Sequence, residues 1–133
     1  MRFAVDRLDH LVVTVKDVEI SAAWYQRVLG MERADFGPHN RTAVRFGGQK
    51  INLRPVEATQ AEWWSGTAAA PGSQDLCFIV TTTAPQVIEH LHSCGVTVEQ
   101  GPVAKDGALG SITSVYCRDP DGNLIEIASY GES

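Results

Sequence analysis

One imidazole, one amide and two carboxylates stand at matched points of a chain that repeats its own pattern: His10, Asn52, Asp75 and Glu126. Glu126 is the plainest of them, set between Ile125 and Ile127 directly after the polar turn Asp119-Pro120-Asp121-Gly122-Asn123-Leu124. An ionised carboxylate in an apolar strand is costly unless it is paired or coordinates a metal. Imidazole nitrogen with carboxylate oxygens suits Fe(II), Mn(II), Ni(II) or Zn(II), with positions left open for water and substrate. His10, Asp75 and Glu126 are therefore the expected metal ligands, and Asn52 is a further ligand or a substrate contact. Each residue also has an ordinary structural role available. A strand histidine is commonly hydrogen-bonded in place, an aspartate near a turn commonly caps it, and Glu126 can pair with Arg54 or Arg118. The coincidence of four such residues favours the metal.

The elements that must position them can be read in order. Leu8 to Val15 is rich in β-branched residues and is expected to be a strand. Asp17 can cap a helix whose stripe is Val18, Ala22, Tyr25 and Leu29, closed by Gly30. Strands are expected over 31–36, 42–46 and 49–55, the last pair joined by Gly47-Gly48. Residues 57–72, with Trp63-Trp64 and Ala68-Ala69-Ala70-Pro71-Gly72, lack strand periodicity and form a linker. The pattern then restarts: a strand over 74–82, a helix with Pro85 in its first turn and Val87, Ile88 and Leu91 as its stripe, then Gly95. Strands follow over 96–103, 112–117 and 124–130, with a loop from Lys105 to Gly110.

Both halves thus follow a β-α-β-β-β plan, an internal repeat that fixes architecture more firmly than propensity does. Leu8-Asp9-His10-Leu11 falls on Ser73-Gln74-Asp75-Leu76, and Ile51-Asn52-Leu53 on Ile125-Glu126-Ile127. Strand side chains alternate faces. Leu11, Val13 and Val15, with Leu76, Phe78 and Val80, are then expected to pack the helices, and the four polar residues to share the opposite faces. The expected fold is α+β, two βαβββ modules in tandem: 1–56, a linker over 57–72, and 73–133, one domain in all.

With 133 residues, 11 Lys+Arg against 16 Asp+Glu and a net charge of −5, the chain has no nucleic-acid footprint. No apolar run approaches a membrane span, and the N-terminus has no hydrophobic signal region. Cys77, Cys94 and Cys117 are odd in number and widely spaced, the pattern of reduced, buried thiols in a cytoplasmic protein.

Three segments carry a family resemblance: Leu8-Asp9-His10-Leu11-Val12-Val13-Thr14-Val15, Trp24-Tyr25-Gln26-Arg27-Val28-Leu29-Gly30-Met31 and Arg118-Asp119-Pro120-Asp121-Gly122-Asn123-Leu124-Ile125-Glu126. The chain resembles the vicinal oxygen chelate superfamily, which includes glyoxalases, bleomycin-resistance proteins and extradiol dioxygenases. The resemblance implies a U-shaped sheet around a central cavity and a divalent metal, a small oxygenated substrate and a homodimer. His10 and Glu126 match its ligands directly. Asp75 stands where metal-dependent members usually carry His, and Asn52 where they carry Glu or Gln. Glu126 is the expected catalytic residue, with Glu126 or Asp75 as the base, the reaction type being lyase, isomerase or ring-cleaving dioxygenase. Arg45, Arg54 and Tyr116 are candidate substrate contacts; Arg118 and Tyr130 lie nearby, and Trp63-Trp64 is a lid or dimer contact. A metal-free small-molecule binding protein, like the bleomycin-resistance relatives, is the alternative.

Overall fold

The structure is a computed structural model and describes residues 1–131. Its elements run β1 (His10–Val15), α1 (Val18–Leu29), β2 (Glu32–Phe36), β3 (Arg41–Phe46), β4 (Gln49–Pro55), β5 (Asp75–Ile79), α2 (Ala84–Ser93), β6 (Gln100–Gly107), β7 (Gly110–Arg118) and β8 (Leu124–Ser129). The β-α-β-β-β plan occurs twice, in two compact units, Met1–Pro71 and Gly72–Ser133. Each unit holds one four-stranded sheet, ordered β1-β4-β3-β2 in the first and β5-β8-β7-β6 in the second. In both, the first strand lies parallel to the last and the other pairs are antiparallel.

In the first unit the Asp17 carboxylate accepts the Ile20 N–H at 3.0 Å and caps α1. Gly30 ends the helix at φ 66°, a left-handed conformation that suits glycine. The helix buries Ala22, Tyr25 and Val28 against β3 and β4. The facing side chains are Val13, Val15, Val44, Ile51 and Leu53, all buried. Full burial of each is worth about 1.5–3 kcal/mol, so this layer is the unit's main stabilising contact. Arg33 of β2 ties the helix to the sheet edge, donating to both Glu19 oxygens and, at 3.2 Å, to Asp35. Asp35 also accepts the Thr42 hydroxyl at 2.8 Å.

The segment after β4 is folded onto its unit. Arg54 is buried, and its guanidinium donates to the Trp63 carbonyl at 3.1 and 3.0 Å and to the Ala58 carbonyl at 3.0 Å. Arg41 stacks on the Trp63 ring at 4.1 Å. Trp63 is buried and its neighbour Trp64 is exposed, so the two indoles do different work.

In the second unit α2 buries Ala84, Val87 and Leu91 and packs on β7 and β8, where Val115, Cys117, Ile125 and Ile127 are buried. Four expectations need correction. β5 stops at Ile79, and β6 is not 96–103 but Gln100–Gly107. Val96-Thr97-Val98 has strand composition but no ladder; pairing begins where Gln100 meets Tyr116. The register then jumps to Val103 opposite Ser114, a bulge on β6. Gly101, at φ 116°, sits in that bulge, where a Cβ would lie 2.5 Å from the Ser114 carbonyl oxygen. Lys105, expected in a loop, is on the strand. The thiols are also not all buried. Cys117 is buried, Cys94 is half-buried, and Cys77 is exposed because it points from β5 away from α2. No helix is long and apolar enough to cross a membrane.

Candidate functional site

Residues paired across neighbouring strands share a face. In the first sheet Val12, Asn52 and Ala43 lie in one row, with His10 and Lys50 in the next. In the second sheet Cys77, Glu126 and Tyr116 form the matching row, with Asp75 and Leu124 in the next. The two halves therefore repeat in register as well as in order. Glu126 holds in the second sheet the place of Asn52 in the first, and Asp75 that of His10.

The polar turn before β8 is what brings Asp75 beside Glu126. Asp119 Oδ1 accepts the N–H groups of Asp121 and Asn123, each at 2.9 Å, and Oδ2 accepts Asn123 Nδ2 at 2.7 Å. Asn123, fully buried, then accepts the Gln74 N–H at 2.8 Å, and Gln74 O accepts the Leu124 N–H at 3.0 Å. This pins the start of β5 to the start of β8.

Glu126 is half-buried and its Oε2 accepts the Ser114 hydroxyl at 2.5 Å. Tyr116 and Cys77 flank it in the same row across the strands. Burial first, and then the nearby Glu126 carboxylate, push the Tyr116 hydroxyl up to about 12 and the Cys77 thiol up to about 11. Both therefore stay protonated at neutral pH. Neither arginine considered as a partner is bonded to Glu126. Arg118 Nε donates to Glu99 at 3.1 Å and Arg118 Nη1 to the Gly122 carbonyl at 3.3 Å, while Arg54 holds the Ala58 and Trp63 carbonyls. Asp75 and Glu126 line one cavity of about 430 Å³ with Lys105, Tyr116 and Arg118. That lies within the roughly 300–1,000 Å³ of small-molecule sites.

In the first sheet His10 is exposed and its Nδ1 lies 2.8 Å from Asp9 Oδ2. The hydrogen bond from His10 holds the Asp9 carboxyl below its usual 3.8. An ionised carboxylate only accepts, so Nδ1 carries the hydrogen; in the neutral ring Nε2 is then the acceptor, the tautomer that many metal-ligating histidines adopt when a carboxylate holds their other nitrogen. Asn52 is 7% exposed, and its Oδ1 has no hydrogen-bond partner among the described residues. Buried side-chain acceptors are seldom left so.

The other candidates are dispersed. Arg45 is exposed, across from Glu32 and Lys50. The Tyr130 hydroxyl accepts the Leu109 N–H at 3.0 Å and braces the β6–β7 hairpin. A slightly larger cavity, about 460 Å³, lies between Val18, Arg41 and Trp63 and contains none of the expected ligands. Among the described residues no three His, Cys, Asp or Glu side chains are grouped so as to hold a metal ion. The structure thus brings together Asp75 with Glu126, and sets His10 and Asn52 on one face. Lys105 was missed in the sequence; the signal that could have found it is Gly101-Pro102, punctuation that marks bulges within strands.

A family model described as the Glyoxalase/Bleomycin resistance protein/Dioxygenase superfamily matches residues 7–127. The virulence protein STM3117 of Salmonella typhimurium is 43% identical over 130 residues, 98% of this chain and 88% of that protein. A glyoxalase domain-containing protein, RDO1, of Mycosarcoma maydis is 42% identical over 132 residues, 99% of this chain and 73% of that protein. Among solved structures, an integron cassette protein from the mobile metagenome of V. cholerae matches with a TM-score of 0.93 at 43% identity. It is covered over its full 100%, by 98% of this chain.

Proposed function

The chain belongs to the glyoxalase/bleomycin resistance protein/dioxygenase superfamily, and from that premise we propose that it is a metal-dependent enzyme acting on a small oxygenated substrate. The reaction is of the lyase, isomerase or ring-cleaving dioxygenase type. His10, Asp75 and Glu126 would hold one divalent ion (Fe, Mn, Ni or Zn), with Asn52 as a further ligand or substrate contact. The observation that carries this reading is the buried, partnerless Oδ1 of Asn52, at the very position in the first sheet that Glu126 holds in the second. An orphaned acceptor at that point calls for a cation or a donor that the described side chains do not supply. By type, an imidazole, carboxylate oxygens and an amide oxygen are donors that suit a hard or borderline divalent ion.

A bound divalent ion supplies Lewis-acid polarisation of substrate oxygens. The protein's own groups do the rest. Glu126 takes the substrate proton onto a carboxylate oxygen, in reach of the Ser114 hydroxyl that already donates to it. Tyr116, protonated at working pH and paired with Glu126 across the strands, offers a wall for the substrate. The same reading takes the working form to be a cytoplasmic homodimer. Supporting it are the apolar side chains left exposed, among them Phe3, Val5 and Ile79.

A second reading, a metal-free binding protein, has one observation in its favour. Glu126 already accepts a hydrogen bond from the Ser114 hydroxyl, without a cation. Metal analysis of protein purified without added metal, repeated on His10→Ala and Glu126→Ala, separates the two. The enzyme reading expects one divalent ion per chain, lost in both variants. No metal in the wild type, and none taken up on addition, leaves the binding-protein reading.

A further inference from the structure

We propose that the cavity of about 460 Å³ in the first unit is a second small-molecule site. It takes a monocarboxylic acid with a compact apolar body and holds the carboxylate through Arg41. The inference is independent of the metal reading, since this cavity shares no lining residue with that of Asp75 and Glu126. Local sequence builds it. The turn over 37–40, in which the Asn40 N–H donates to the Gly37 carbonyl at 3.1 Å, puts Arg41 at the head of β3, paired with Phe36. Thr42 pairs with Leu53, so the end of β4 lies beside the start of β3. The chain beyond Pro55 then closes on itself. The Thr59 N–H donates to Glu62 Oε1 at 3.0 Å, the Glu62 N–H to the Thr59 hydroxyl at 3.2 Å, and the Trp63 N–H to the Thr59 carbonyl at 2.8 Å. That is the reciprocal pattern of a capping box. With Arg54 on the Ala58 and Trp63 carbonyls, it fixes the wall before any ligand arrives. Leu53, Pro55, Ala58, Ala61 and Trp63 make the lining largely apolar, and the volume is that of a small-molecule site.

Arg41 supplies the guanidinium of this lining and is half-buried. Its Cζ lies 4.1 Å from the centre of the buried Trp63 ring, and Nη2 donates to the Glu62 carbonyl at 3.1 Å. Two contacts therefore hold the group in place, and neither cancels its charge. Among the described residues Arg41 makes no ion pair, whereas Arg33 and Arg118 each face a carboxylate. Glu62, which also lines the cavity, turns its carboxylate back to the Thr59 N–H. A held guanidinium whose Nε and Nη1 make no hydrogen bond to the described residues is the donor set that a carboxylate matches. One unmatched positive charge beside an apolar wall suits a ligand with one negative charge and an apolar body. A second negative charge would meet Glu62 with no cation left to balance it.

The test is calorimetric titration of the protein with phenylacetate, with phenylacetamide, which keeps the ring and loses the charge, and with acetate, which keeps the charge and loses the ring. Phenylacetate is expected to bind about tenfold more tightly than either. Arg41→Gln should remove its advantage over the amide. Ala61→Phe, at an exposed position of the lining, fills the cavity and leaves Arg41 in place, and it should abolish binding of both ring compounds. This second variant decides the matter should Arg41→Gln fail to fold. No binding of phenylacetate, equal binding of the amide, or acetate bound as tightly would overturn the proposal. So would binding undiminished in Ala61→Phe, or a preference that survives in Arg41→Gln. The titration needs no metal, so its failure leaves the reading of His10, Asp75 and Glu126 standing, and a chain that takes up no metal leaves this site standing.

Discussion

At the scale of single residues, the Asp-Pro-Asp-Gly-Asn segment and Glu126 have separate jobs. The turn is joinery: Asp119 folds it, and Asn123 reaches from it to the backbone of Gln74. Glu126 follows with the neutral Ser114 hydroxyl bonded to it. Removing the Asn123 side chain would leave the Gln74 N–H and an Asp119 oxygen without their partner in a buried setting. Asn123→Ala is expected to cost about 1–3 kcal/mol in urea unfolding and to weaken metal uptake by loosening Asp75, whereas Asp106→Ala, at an exposed position of β6, should do neither. Equal effects of the two substitutions would refute this division. The sequence made Glu126 conspicuous because a charge stood among isoleucines. It could not reveal that Arg54 is occupied, since that depends on where residues 57–63 run, and those residues carry no periodicity.

At the scale of elements, hydrophobic parity was the reliable guide. Val13, Val15, Ile51 and Leu53, and likewise Ile125 and Ile127, lie on the buried faces that alternation predicts. Parity failed on β6, where Val96-Thr97-Val98 has the right residues and no neighbour, and where one inserted residue reverses every face that follows. The join between α1 and β2 rests on charge instead. Hydrogen bonding from Arg33 holds the Glu19 carboxyl below its usual 4.5, and the Thr42 hydroxyl, then Arg33, hold Asp35 below its usual 3.8. Carboxyls depressed in the folded state stabilise it above their ordinary values and stop doing so as pH falls through the lowered ones. Comparing thermal unfolding of the wild type and Arg33→Met across pH, the gap in midpoint should be present near neutrality and close as the medium is acidified below about 4. The two carboxylates are open to solvent, so added salt should narrow the gap as well. A gap constant from neutral to acid would show that Arg33 acts through packing alone.

At the scale of the whole molecule, the duplication is the organising fact. Two four-stranded sheets with the same strand order and register place one amide, one imidazole and two carboxylates at equivalent points. That much was legible because a repeat shows itself in spacing even where few residues are identical. The unpartnered Oδ1 of Asn52 and the hydrogen bond of His10 were not, since hydrogen-bond satisfaction depends on neighbours brought together by folding. The central claim is that His10, Asp75 and Glu126 are ligands of one divalent ion. Anomalous diffraction from crystals grown with Mn(II) tests it most directly. The account predicts a single strong peak with His10 Nε2 and carboxylate oxygens of Asp75 and Glu126 about 2.0–2.3 Å away, absent from crystals of Glu126→Ala. A peak held by other side chains, or none under saturating metal, would contradict it.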